Sequence, residues 1–395
     1  MTLQIGQALR ILEVHGYHMN LSSRVTDQHY LIRCQNVWWT VYVLERQISV
    51  LMGAPLSIND NDISASLPSF PDSPLKTAAA AIHVKLSQAF GQVVNGKASM
   101  STLHLTMDPN SLVALYRESG HRRSTLVKSA QGVLQKVANV APDLREYFPV
   151  PEQESMNGIS RVTGYMNLLY HQCVMLATRP FLFILVEMCA NSEEPLRDVP
   201  TPVKLLLQIC LESAKETIFI LSALQDQTLL ECFLPFHLES AVSAGLVFTM
   251  ASLASPSLIE SHTYYLGPLS SVLDQIIEQG NLIAAGQKKE LNQLESLCAS
   301  LKVSPAMGDY AVSSQLQEGA IPATGLTSGP LEPIGNDHGQ NPNQAWTGQF
   351  GEPSQSAINM SPTQLLEVVD MMNGDSLLDW LDLPATALEF GNEGH

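Results

Sequence analysis

Through most of residues 1 to 302, apolar side chains return at every third or fourth position. That is the repeat of a helix with a buried face, and the strict alternation of a half-buried strand is nearly absent. The repeat predicts helices over residues 2 to 20, 29 to 52, 75 to 95, 109 to about 140, 158 to about 189, 203 to 223, 236 to 254, 262 to 280 and 287 to 301. Pro142, Pro149 and Pro151 predict a break after the fourth of these, and Pro195, Pro200 and Pro202 a break after the fifth. Arg179-Pro180 is expected to kink or split the fifth helix, because proline lacks the amide that continues the ladder. The expected fold is all-α, a multi-helix array around a single core over residues 1 to 302, with no internal repeat.

The second of these segments has the densest pattern. Val37, Trp38, Val41, Leu44, Glu45 and Ile48 recur at helical spacing, with Trp39, Tyr42 and Arg46 towards the flanks, so the helix should pack on more than one side. Met52-Gly53-Ala54-Pro55 should stop it, since glycine tolerates positive φ after a last turn and proline cannot continue. Asn59-Asp60-Asn61-Asp62 follows, rich in residues that bond their own backbone, and should form a structured loop.

In its order of motifs this stretch resembles the fungal-specific transcription factor domain, the middle homology region of zinc binuclear-cluster regulators. The resemblance rests on Trp38-Trp39, Glu45-Arg46, Gly53-Ala54-Pro55, Ser57-Ile58, Asp62-Ile63 and Leu67-Pro68. Gln7 to His18 is similar to the first helix end of that family, although Tyr17 and Met19 stand where the family usually has leucine and arginine. Tyr170-His171-Gln172 leading to Arg179-Pro180-Phe181-Leu182, and the pair of helices from Cys210 to Met250, extend the similarity to about residue 255. The resemblance implies a nuclear regulator giving pathway-specific control of a metabolic or secondary-metabolite gene set in a fungus. It also implies architectural roles for Trp38, Trp39, Glu45, Arg46, Gly53, Pro55, Asp62, Leu67, Pro68, Arg179 and Pro180. A small-molecule effector and a homodimer are the further partners considered.

The tail reads differently. Residues 303 to 395 hold 12 acidic residues and no Lys or Arg, so most of the formal charge of −17 belongs there. Residues 303 to 360, rich in Gly, Pro, Ser, Asn and Gln, are expected to be a disordered linker, because little apolar surface is available to offset ordering entropy. Residues 361 to 395 then form an acidic amphipathic segment. Ser361 supplies an N-cap, Pro362 the first helical position and Gln364 the third residue of a capping box. The first helix carries Leu365, Leu366, Val368, Val369 and Met372, and a second, from Asp375, carries Leu377, Leu378, Trp380 and Leu381. Interleaved acids suit an activation segment whose Leu377, Leu378, Trp380 and Leu381 enter a coactivator groove. The competing expectation is a C-terminal helix that docks on the chain's own core.

Charge and chemistry narrow the function. An acidic chain lacks the Lys/Arg footprint on which phosphate binding depends, so bare affinity for DNA is not expected. Its six cysteines match in number what a binuclear zinc cluster needs, but the nearest two, Cys173 and Cys189, are 16 positions apart. Such a cluster needs close C-x-x-C pairs. Zinc is therefore expected only in a family N-terminal cluster outside this sequence, and no cofactor within it. DNA would be reached through such a cluster or through another DNA-bound protein. The Asn59 to Asp62 cluster fails as a calcium loop, because counting from Asp60 puts Ala65 at the required glycine and Pro71 at the required glutamate. His15 and His18 lack an acidic or thiol partner, and His121-Arg122-Arg123 with Arg117 and Lys128 suits a solvated helix face. With no phosphate-binding glycine loop or nucleophile motif, no enzyme is expected. No secretory or membrane-spanning segment is expected either, which points to a soluble intracellular protein without membrane contact. The alternatives are an all-α small-molecule binder or enzyme, and an interaction scaffold that binds no DNA.

Overall fold

A computed structural model describes residues 2–95, 123–151, 158–191, 199–254, 259–303, 361–372 and 377. Every regular element among them is helical: α1 (Thr2–Val14), α2 (Gln28–Met52), a 3-10 turn (Asp60–Asp62), α3 (Pro74–Asn95), α4 (Arg123–Tyr147), α5 (Arg161–Asn191), α6 (Thr201–Asp226), α7 (Pro235–Ala254), α8 (Ile259–Glu278), α9 (Leu282–Val303) and α10 (Pro362–Met371). The chain divides into two units, Met1–Lys302 with Met360–His395, and Val303–Asn359. Beyond Val303 the second unit, with the linker expected there, lies outside the described residues.

Local chemistry sets the ends of the N-terminal helices. α1 stops at Val14 instead of reaching residue 20, because Gly16 turns to φ +73° and the amides of Gly16 and Tyr17 close back on the carbonyls of Glu13 and Leu12. Asp27 caps α2 by accepting from the His29 and Tyr30 amides. Gly53, at φ +60°, ends it where expected, its amide and that of Ala54 closing on Val50 and Ser49.

At two of the prolines the helix runs on. α4 runs through Pro142 to Tyr147 without the expected break near residue 140, and α5 runs through Pro180 without being split. Each proline removes one rung, but Val140, Ala141 and Leu144 beside Pro142, and Phe181 and Leu182 beside Pro180, are buried. Tertiary contact therefore outweighs the local loss.

α5 is central, touching α3, α4, α6 and α7, while α6 also packs on α7 and α8, and α2 on both α1 and α3. One large apolar core runs through α3 to α9 and includes side chains of α10. Two small satellites sit at the N-terminal helices, one built on Trp38, Trp39 and Tyr42, the other on Leu21, Leu31 and Cys34. Arg161–Val186 and Pro235–Leu253 are long and apolar enough to cross a membrane, but 94% and 83% of their most apolar stretches are buried inside the protein, as core helices are. Cys34, Cys173, Cys210 and Cys232 are free, buried thiols.

Candidate functional site

The aromatic helix and its loop form one clamp. Arg46, fully buried, lies 4.6 Å over the Tyr42 ring and donates from Nη2 to the Ile58 carbonyl and to Asp60 Oδ1, both at 2.7 Å. Its Nη1 meets Glu45 Oε2 at 3.2 Å, and Glu45 Oε1 accepts from the Ser57 amide at 2.8 Å. Tyr42 donates to Asp60 Oδ1 at 2.6 Å, and Trp39 Nε1 donates to the Ser66 carbonyl at 2.7 Å. The loop from Ala54 to Ser66 is thus tied to α2 at four points. On the other side Gly91 admits α3: a Cβ there would come within 3.3 Å of Leu56 and 3.4 Å of Arg46 Nε. Asn59 caps the 3-10 turn by accepting from the Asn61 amide.

The remaining motif residues fall in different settings. Trp38 is buried beside His18, with ring centroids 5.7 Å apart, and Pro68 and Arg179 are buried too, while Pro55, Asp62 and Leu67 are exposed. Val37, expected on the buried face, is 46% exposed, because α1 and α3 cover α2 on its other sides. The polar groups of the clamp bond one another and the loop backbone.

Beside it, α2, α3, α5 and α7 leave a small, part-open cleft with about 40 Å³ of interior space between Gln47, Phe90, Tyr165, Leu168, Gln172 and Phe236. Gln47 Nε2 donates to the Tyr165 hydroxyl at 2.6 Å, and His83 Nε2 lies 2.9 Å from Gln47 and 3.1 Å from Tyr165. Gln172 Nε2 donates to Ser243 Oγ at 3.0 Å. His237, also in the wall, accepts from the Glu231 amide through Nδ1. Sequence reasoning missed this group. Its signal was there in isolated polar residues within apolar runs, such as His83 between Ile82 and Val84.

At the other end of the unit, α10 packs on α4 and, at its margin, on α6. The capping box forms as expected: Ser361 accepts from the Gln364 amide and Gln364 from the Ser361 amide. Leu365, Val368, Val369, Met372 and Leu377 join the large core, whereas Glu367 and Asp370 face outward. Leu377, expected at a coactivator, is 0% exposed against the chain's own core. Leu378, Trp380 and Leu381 lie outside the described residues, as do Arg117, His121 and Arg122 of the basic cluster.

Residues 4–84 match the model of the family described as the fungal specific transcription factor domain, a stretch covering α1, α2, the clamped loop and the first half of α3. Over that stretch the chain is similar to the fungal specific transcription factor domain. It is also 22% identical over 253 residues to an uncharacterized transcriptional regulatory protein of Schizosaccharomyces pombe, an alignment covering 64% of this chain and 29% of that protein. The chain thus spans under a third of the relative it matches. No solved structure matches it. Within the matched stretch fall Gln47 of the cleft and His83, which bonds to it, while Tyr165 and Gln172 come from α5, beyond that stretch.

Burial around this site sets a pH response. It pushes His83 and His237 down to about 4 and His171 to about 3, so below pH 6.5 the unfolded chain takes up protons that the folded one refuses. Stability should therefore fall as pH drops, by about 1.4 kcal/mol per pH unit for each such histidine. Glu216 acts in the opposite sense. Burial, with Glu212 nearby, pushes it up to about 8, so its contribution fades as pH rises from about 4.5 to 8. Urea unfolding from pH 4.5 to 8.5 should show a maximum near pH 6.5, and Glu216→Gln should flatten the alkaline side and steepen the acid side.

Proposed function

We propose that this protein is a nuclear regulator controlling a specific metabolic gene set, whose acidic C-terminal segment activates transcription through coactivators and is held in check by docking on the helical domain. The observation that carries this is α10, an acidic amphipathic helix whose apolar face is buried on α4. A residue buried there cannot meet a coactivator at the same time, so the docked and engaged states exclude one another. The family domain and the Schizosaccharomyces pombe relative support the transcriptional class. A formal charge of −17 supports a route to DNA through a zinc cluster on a longer form or through a DNA-bound partner, not through these helices themselves. The cleft supports effector control, with the helical domain in a sensing role and not an enzymatic one.

Fusions to a heterologous DNA-binding domain test the reading. Residues 360 to 395 alone should activate a reporter, and Trp380→Ala/Leu381→Ala should reduce that output. The 395-residue chain should give several-fold less than the segment alone. Silence of the segment would remove activation, and equal output from segment and chain would remove the restraint.

A further inference from the structure

The chemistry of the cleft specifies its guest. Its walls are mainly apolar, with Phe90, Leu168 and Phe236 prominent; no Lys or Arg lines it, and its one carboxylate, Glu239, is buried and already engaged within the protein, so it is not left to pair with a cationic guest. Gln47 and Gln172, at 4% and 6% exposure, each keep a buried side-chain oxygen with no hydrogen-bond partner. A buried acceptor without a donor is costly, so native structures rarely leave one unless a water or ligand supplies the proton. The two orphans lie on different helices, α2 and α5, at one cleft.

We infer that this cleft binds a compact, uncharged, mainly apolar molecule that presents a hydroxyl or N–H donor to Gln47 or Gln172. An anion would be buried here without a countercharge, a desolvation cost that nothing in the wall offsets. His237 does not provide one, since burial keeps it neutral at pH 7. A plain hydrocarbon would fill the space but leave both acceptors unmet. The tyrosine hydroxyl at the wall is already engaged with Gln47 and His83, so the orphan oxygens set the selectivity.

The inference rests on the reading of the helical domain as a sensor, but direct binding tests it without any reporter. Titration calorimetry of the full chain with benzyl alcohol, toluene, benzoate and benzylamine separates the classes. Benzyl alcohol should bind about tenfold more tightly than toluene, the worth of one net hydrogen bond, and the two charged analogues should give no binding at matched concentrations. Gln172→Leu or Gln47→Leu should bring the alcohol close to toluene while toluene still binds, which shows the variant folded, and an unchanged preference in both would overturn the assignment. Equal affinity for alcohol and toluene in the unaltered protein would reduce the cleft to an apolar void. Tightest binding of benzoate or benzylamine, or no binding of any probe, would overturn the assignment. If benzyl alcohol binds but leaves α10 as firmly docked as before, the site stands and its coupling to transcription falls.

Discussion

Arg46→Ala is expected to destabilise the domain by about 3–5 kcal/mol, the usual cost of removing one partner of a buried ion pair. Asp60 would lose the 2.7 Å contact and Glu45 the 3.2 Å one, and the Ile58 carbonyl would lose its donor. The cation lying over Tyr42 would go as well. A lysine keeps the charge but has neither the second nitrogen that reaches Glu45 nor the planar group that lies over Tyr42, so Arg46→Lys should recover only part of the loss. Urea unfolding monitored by tryptophan fluorescence reads both, since Trp38 and Trp39 stand beside the clamp. A loss under about 1 kcal/mol for Arg46→Ala would mean that the loop does not depend on it.

Leu365→Asp should free α10. The side chain lies in the large core, and a carboxylate there would be buried without a partner. Release costs the protein less than burying that charge, so the helix should leave α4. A change of about 3 kcal/mol shifts the docking equilibrium on the order of a hundredfold. Under the proposed restraint, reporter output from the full-chain fusion should rise at least about tenfold, approaching that of residues 360 to 395 alone. Glu367→Gln, on the outward face, should leave output near its starting level. Unchanged output from Leu365→Asp, in a variant shown to have lost docking, would separate the helix from any regulatory role.

What could be read from the chain divides along physical lines. Boundaries set by short-range chemistry were legible: Gly53 closing α2, and the Ser361–Gln364 capping box opening α10, depend on residues within one turn. Boundaries decided by tertiary packing were not. Pro142 and Pro180 look like breaks locally, yet α4 and α5 pass through them because neighbouring helices bury the residues alongside. Periodicity also gives a helix a face without saying what covers it, so Val37 is exposed and the apolar face of α10 meets α4. The cleft was the least legible feature, since Gln47 and Tyr165 bond across a separation of 118 residues. The residues that identify the domain hold the loop, and those that suit a ligand are scattered over four helices.

The docking of α10 is the centre of this account, and amide hydrogen exchange in the intact chain tests it most directly. A ten-residue helix is marginal in water by itself, so protection of its amides reports docking and not intrinsic helicity. Amides from Leu366 to Met372 should exchange slowly, with protection comparable to that of α4 and lost in Leu365→Asp. Exchange of those amides at the rate of an unstructured peptide, while α4 stays protected, would contradict it.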